Sequence, residues 1–151
     1  MIQALTNRLL DFTPKNPDES LPQAAVLILC YEKDNDLYFV MTERSNSLPS
    51  HPGEVAFPGG KREKKDKNLK QTALREATEE ISLDPAKVEI LGQLDPLESR
   101  FGLSVTPFVG ILKEKFELEP NPDEVADIFY LPLSFFKNDP LIKRGVTNFK
   151  G

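Results

Sequence analysis

Cysteine and histidine are nearly absent from this chain, which has one of each among 151 residues, Cys30 and His51. A single cysteine excludes an intrachain disulfide. One cysteine and one histidine cannot build a zinc site of the usual Cys/His kind. Cys30 lies in the apolar run "AAVLILC" and reads as a small buried hydrophobe, since a catalytic thiol would want a histidine beside it. No apolar run approaches the ~18 residues of a membrane span, and "MIQALTNRLLDF" is too polar for a secretory signal. A cytoplasmic protein with no membrane partner is therefore expected. Basic charge is also in deficit: the net charge is −5 and the pI about 5.0, which argues against a dedicated nucleic-acid partner. A small phosphorylated ligand stays compatible, because a bound metal or a few basic residues can offset the field locally.

Other signatures are missing too. There is no G-x-x-x-x-G-K-[ST] phosphate loop, no G-x-S-x-G elbow and no Glu-x-x-His pair. Repeats and low-complexity tracts are absent. Hydrophobic residues at 39% and charged residues at 28% describe an ordinary globular chain of one-domain size.

Periodicity predicts a short N-terminal helix in "IQALTNRLLDF", then strands over 24–32, 37–44 and 54–58. Gly59-Gly60 reads as a turn and "REKKDKN" as a loop. The segment 69–81 reads as a helix, with Leu69, Ala73, Ala77 and Ile81 recurring every four residues and Pro85 ending it. Two longer β runs follow, 88–99 and 103–113. Last comes "DEVADIFYLPLSFF", a strand turning into a helix near Leu133. This order is not a strict βαβ alternation, so the expected fold is α/β, a mixed sheet with helices on both faces. One domain is expected over 1–151, cut short at the weakly patterned ending "LIKRGVTNFKG".

The chemistry concentrates in 57–83, "FPGGKREKKDKNLKQTALREATEEISL". Positions four apart on a helix lie about 6 Å apart along its axis on one face, so Glu76 and Glu80 are stacked neighbours, with Glu79 adjacent at the border of the apolar stripe. Like charges at this spacing repel unless cations offset them. Two readings follow. On a solvated helix Arg75 would pair with Glu79. Alternatively, the carboxylates supply part of the oxygen shell of Mg²⁺, which takes one or two carboxylates and completes itself with water and phosphate. The glycine pair just upstream lets backbone approach a phosphate or metal closely.

These residues resemble the box of the Nudix hydrolase family. That box reads Gly, five residues, Glu, seven residues, then Arg-Glu-aliphatic-any-Glu-Glu-any-Gly-aliphatic. Gly60 opens it, Arg75-Glu76-Ala77-Thr78-Glu79-Glu80-Ile81 carries its core, and Leu83 closes it. Asp66 stands at the first Glu, eight residues rather than seven separate it from Arg75, and Ser82 replaces the late Gly. The first two departures, with "VMTERSNSLPSHPGEVAFPGG" upstream, are similar to the coenzyme A diphosphatase branch. Thr42, Arg44, Ser45, Gly53 and Phe57-Pro58-Gly59-Gly60 match its upstream signature, while Pro49 stands where that pattern carries a second arginine.

The resemblance implies an α/β/α sandwich and hydrolysis of the diphosphate of CoA or acyl-CoA, giving 4′-phosphopantetheine and adenosine 3′,5′-bisphosphate. Other Nudix substrates, such as ADP-ribose, dinucleoside polyphosphates or modified nucleoside triphosphates, are the neighbouring alternative. The implied cofactor is Mg²⁺ or Mn²⁺, held by Glu76 and Glu80, with Glu79 as a further ligand or the base and the Gly60 carbonyl completing the shell. Arg75 would orient the glutamates or contact substrate. Arg44, Gly59 and His51 are the candidate substrate contacts, each with a plain structural alternative. The implied partner is a small nucleotide, and a homodimer is a further expectation.

Overall fold

The computed structural model describes residues 1–49, 52–113 and 116–138. His51 and the ending "LIKRGVTNFKG" lie outside them. Among the described residues the chain forms helix α1 (Ile2–Asp11), strands β1 (Gln23–Lys33), β2 (Asp36–Arg44), β3 (Val55–Ala56) and β4 (Gly59–Lys61), and helix α2 (Leu69–Ile81). Strands β5 (Val88–Gln93), β6 (Leu97–Glu98), β7 (Ser104–Leu112) and β8 (Val125–Pro132) follow, and helix α3 (Leu133–Asn138) closes the order. The sheet runs β3-β2-β1-β7-β5, with β4 also on β1, β6 on β7 and β8 on β2. The β1–β7 pair is parallel and the others are antiparallel. The sheet is therefore mixed, as expected.

Strand alternation sorts the core into two layers. Ala25, Leu27 and Leu29 of β1 share a cluster with Ala73, Ala77 and Ile81 of α2. Cys30 on the opposite face joins Leu37 and Ile111, against which Ile2 and Leu5 of α1 and Leu133 of α3 pack. Helices thus cover both faces, giving the α/β/α sandwich. Leu27 and Leu29 are fully buried, each worth roughly 1.5–3 kcal/mol of transfer free energy. Burial pushes the Cys30 thiol up to about 12, so this residue is a packed hydrophobe and no nucleophile at neutral pH.

Three local expectations are corrected. Gly59-Gly60 is strand, not turn: Gly59 pairs Val26 and Gly60 pairs Ala25. A Cβ on Gly59 would collide with the Ala25 carbonyl oxygen and Val26, so glycine is what permits the approach. The run 88–99 is not one strand. It breaks before Pro96, which lacks the N–H a ladder needs, and resumes at Leu97. Finally, α2 spans Leu69–Ile81 as expected, but Pro85 is not what stops it. The stop is the capping residue Ser82, whose φ of 59° and ψ of 33° are left-handed, and whose N–H reaches Ala77 and Thr78 carbonyls. Pro85 instead opens a separate 3-10 turn, Pro85–Lys87.

The start of α2 is pinned reciprocally. The Asn68 side chain accepts from the Gln71 N–H at 2.8 Å, and the Gln71 side chain accepts from the Lys67 N–H at 2.6 Å. The left-handed Ser82 generates a prediction. Ser82→Gly should raise stability by about 0.5 kcal/mol, the relief of left-handed strain less the extra unfolded-state entropy of glycine. Urea unfolding measures it, and a loss of stability would contradict the strain.

Candidate functional site

The glycine strand and the acidic helix edge meet directly. Gly60 faces α2, and a Cβ there would overlap the Glu76 carboxylate, so the absence of a side chain makes room for that acid. One helical turn on, Glu80 accepts a hydrogen bond from the Gly59 backbone N–H. The two carboxylates are close enough to repel each other, and Glu124 adds to the repulsion on both. Desolvation is the larger effect. Mainly by burial, the Glu76 carboxyl is pushed up to about 7 and that of Glu80 to about 8, from an ordinary 4.5. Arg75 pulls Glu76 back down, and the Gly59 N–H and Arg44 do the same for Glu80.

Arg75 is a hub. Its Nε and Nη2 donate to the two oxygens of Asp66 at 2.8 and 3.0 Å, Nη2 also donates to the Lys61 carbonyl at 3.0 Å, and Nη1 donates to both Glu79 oxygens at 3.0 and 3.2 Å. Nη1 lies 3.8 Å from Glu76. The Asp66 side chain is 1% exposed and is further satisfied by the Thr72 hydroxyl and the Glu63 N–H. Bonding to Arg75 holds its carboxyl well below the usual range. The arginine thereby ties the loop before α2 to the strand carrying Lys61. Glu79, 40% exposed, is gripped by Arg75 and is still close enough to Glu76 to add to the repulsion on that acid.

Glu124 was not singled out from sequence, and long-range hydrogen bonds explain its position. The last-turn carbonyls of α2 are satisfied by a distant loop: Glu119 donates to Ile81 O at 3.1 Å and Asn121 to Glu80 O at 2.9 Å. Asn121 O then accepts from Glu124 at 3.0 Å, and Glu124 O accepts from Ser45 beside Arg44 at 2.9 Å. The turn "NPDEV" looks like any acidic turn until this docking is known.

Arg44 sits at the end of β2, where the register with β8 shifts between Glu43 and Arg44, a bulge that re-aims a side chain. It lines a cavity of about 970 Å³ together with Glu54, Gly59, Gly60, Lys61 and Glu80. Thr42, from the same stretch, is turned to structure: its hydroxyl donates to the Ala56 carbonyl at 3.0 Å, fastening β3. Arg44, Gly59, Gly60 and Glu80 are thus brought to one cavity, Glu76 lies immediately behind Gly60, Arg75 and Glu79 flank the outside, and His51 is not among the described residues.

No group of three or more His, Cys, Asp or Glu side chains stands arranged around a metal position among the described residues. The donor chemistry still fits a hard dication. Two partly desolvated carboxylates repel each other beside a strand with no side chains, and Mg²⁺ commonly uses only one or two carboxylates from the protein.

The comparisons agree with this architecture. The profile of the family described as NUDIX domain matches residues 21–147, so the chain belongs to the NUDIX domain family. It is 48% identical over 129 residues to Nudix hydrolase 15, mitochondrial, of Arabidopsis thaliana, covering 83% of this chain and 45% of that protein. It is 44% identical over 112 residues to the peroxisomal coenzyme A diphosphatase NUDT7 of Mus musculus, covering 74% of this chain and 48% of that protein. The chain spans about half the length of the curated relatives it matches. Among solved structures it is similar to the NUDIX domain of Shewanella oneidensis NrtR complexed with ADP ribose, with a TM-score of 0.62 at 20% identity over 92% of this chain and 94% of that one. That likeness shows the fold. Among the described residues no helix is long and apolar enough to cross a membrane.

Two predictions follow from the electrostatics. Asp66→Ala should cost about 3 kcal/mol in chemical unfolding, because it leaves the Arg75 Nε and the Glu63 N–H without their buried acceptor; an unchanged midpoint would show that the clamp carries no stability. In chelator, Glu76 and Glu80 contribute stability that is present below pH ~4.5 and lost as pH rises through about 7 and about 8. Asp66 acts oppositely, its contribution being lost only in acid. The melting temperature in chelator should therefore fall between pH 5 and 9 and fall less in Glu80→Gln; a flat profile in the unsubstituted protein would contradict this.

Proposed function

We propose that the protein hydrolyses the diphosphate of coenzyme A or an acyl-CoA, in a reaction dependent on Mg²⁺ or Mn²⁺ and releasing 4′-phosphopantetheine and adenosine 3′,5′-bisphosphate. The observation that carries the reading is the seating of Glu76 and Glu80 against the glycine strand at the edge of the cavity. The choice of CoA rests on the upstream stretch "VMTERSNSLPSHPGEVAFPGG" and on 44% identity to a relative named as a coenzyme A diphosphatase.

In this reading Glu76 and Glu80, with the Gly60 carbonyl, hold the dication, which when bound supplies Lewis acidity toward the diphosphate. The Gly59 N–H fixes the direction of the Glu80 carboxylate. Arg44, at the cavity wall, offers a guanidinium fork to a phosphoryl oxygen as charge develops there. Glu79 is a further ligand or the base that takes a proton from the attacking water. Arg75 acts by position: holding Asp66 and Glu79 together, it sets the start of α2 relative to the glycine strand.

The test is a panel of CoA, acyl-CoA, ADP-ribose and nucleoside triphosphates with Mg²⁺ or Mn²⁺, with products identified. CoA compounds should be cleaved with the highest kcat/KM, and chelator should abolish turnover. Glu80→Gln should lower kcat at least ~100-fold while leaving the circular dichroism spectrum unchanged, the scale expected when a group that stabilises transition-state charge is removed. Full activity in that variant would refute the ligand role, and preference for another nucleotide would overturn the CoA assignment.

A further inference from the structure

The cavity has two ends of different chemistry. Gly59, Gly60, Lys61, Arg44, Glu54 and Glu80 form the polar end. Antiparallel partners share a face, so Lys61 and Gly59 lie with Ala24 and Val26 on one sheet face, opposite the face on which Ala25 and Gly60 meet α2. From there the floor runs over Val26 and Ile28 of β1 and Val105 and Pro107 of β7. This apolar floor extends well beyond what a diphosphate can use.

Among the described residues eight large apolar side chains are exposed, and four of them, Phe12, Val55, Leu97 and Phe101, line this one cavity. Phe101 is 54% exposed yet stands on a built turn. The Ser99 hydroxyl accepts from the Phe101 and Leu103 N–H groups at 3.3 and 3.1 Å, Ser99 N–H donates to Leu103 O at 2.8 Å, and Gly102 takes the left-handed φ of 77° that closes the bend. The Arg100 guanidinium lies 5.1 Å from the ring centroid. An ordered turn holding an aromatic ring at the wall of an apolar trough is costly to leave wet.

The far end selects among occupants. Its one charged side chain is Asp95, which already accepts from the Lys15 N–H at 2.8 Å. A nucleobase lodged there would leave its ring nitrogens and amino group without partners. A saturated chain would leave nothing unpaired.

We propose that this trough binds the fatty acyl chain of the substrate, and that Phe12, Val55, Leu97 and Phe101 set a preference for longer acyl thioesters over short ones. The proposal rests on the CoA reading above and deepens it. About 970 Å³ lies at the upper end of the roughly 300–1,000 Å³ common for small-molecule sites, so the pantetheine arm that links the diphosphate to the thioester can cross the apolar floor and leave the chain against the far wall.

The experiment compares acetyl-CoA with decanoyl-CoA, first by kcat/KM with Mg²⁺ and then by equilibrium binding in chelator, for the unsubstituted protein and a Leu97→Ser/Phe101→Ser variant. Both side chains are exposed, so the variant should fold. The decanoyl compound should be favoured at least ~10-fold, since several methylenes leave water, and the variant should bring the ratio near one. Equal handling of the two chains, or a ratio that survives in the variant, overturns the proposal. Hydrolysis without chain dependence sinks the trough and leaves the CoA activity standing. Chain-dependent binding without hydrolysis supports the trough and sinks the catalytic reading. Absence of both binding and hydrolysis refutes both. A ratio unchanged while the variant alone becomes monomeric by ultracentrifugation also overturns the proposal, because the apolar wall would then be a contact with a second copy.

Discussion

Two carboxylates on successive turns of one helix are held where water only partly reaches them, against a strand that has no side chains at that point. Gly60 leaves the space that the Glu76 carboxyl fills, and the Gly59 N–H turns Glu80 toward the cavity. Each acid resists ionising near neutrality because burial and its acidic neighbours oppose the charge. Such an arrangement is unfavourable as pure structure. The remaining features of the site, from the Arg75 hub to the docked loop at 119–125, serve to keep it in place.

The support around the two acids is layered. Asp66 is nearly inaccessible and spends its oxygens on Arg75, Thr72 and the Glu63 backbone. Arg75 then reaches Lys61 on the glycine strand and Glu79 on its own helix, so strand and helix cannot slide independently. On the other side, Asn121 and Glu119 occupy the terminal carbonyls of α2 and carry Glu124 into the field of both acids. Strand-end geometry at Arg44 adds a cation at the cavity wall.

Much of this was legible in the sequence because it is local. The fourfold recurrence of Leu69, Ala73, Ala77 and Ile81 gave the bounds of α2, and the unbroken apolar run gave a β1 covered on both faces. The acidic edge followed from helical spacing alone. What stayed hidden depends on partners distant along the chain. The glycines looked like a turn because their pairing with Ala25 and Val26 crosses more than thirty residues. Proline at 85 looked like the helix stop, whereas Ser82 had already turned left-handed. Glu124 carries no local mark, and the trough that gathers Phe12, Val55, Leu97 and Phe101 assembles three separate segments.

The central claim is that Glu76 and Glu80 together form a cation site whose chemistry the fold has prepared. Calorimetric titration of Mn²⁺ into the unsubstituted protein, Glu76→Gln and Glu80→Gln at one fixed pH, without substrate, tests it most directly. The account predicts saturable binding in the unsubstituted protein and a loss of at least ~10-fold in affinity in each variant. Equal Mn²⁺ affinity in all three proteins would contradict it.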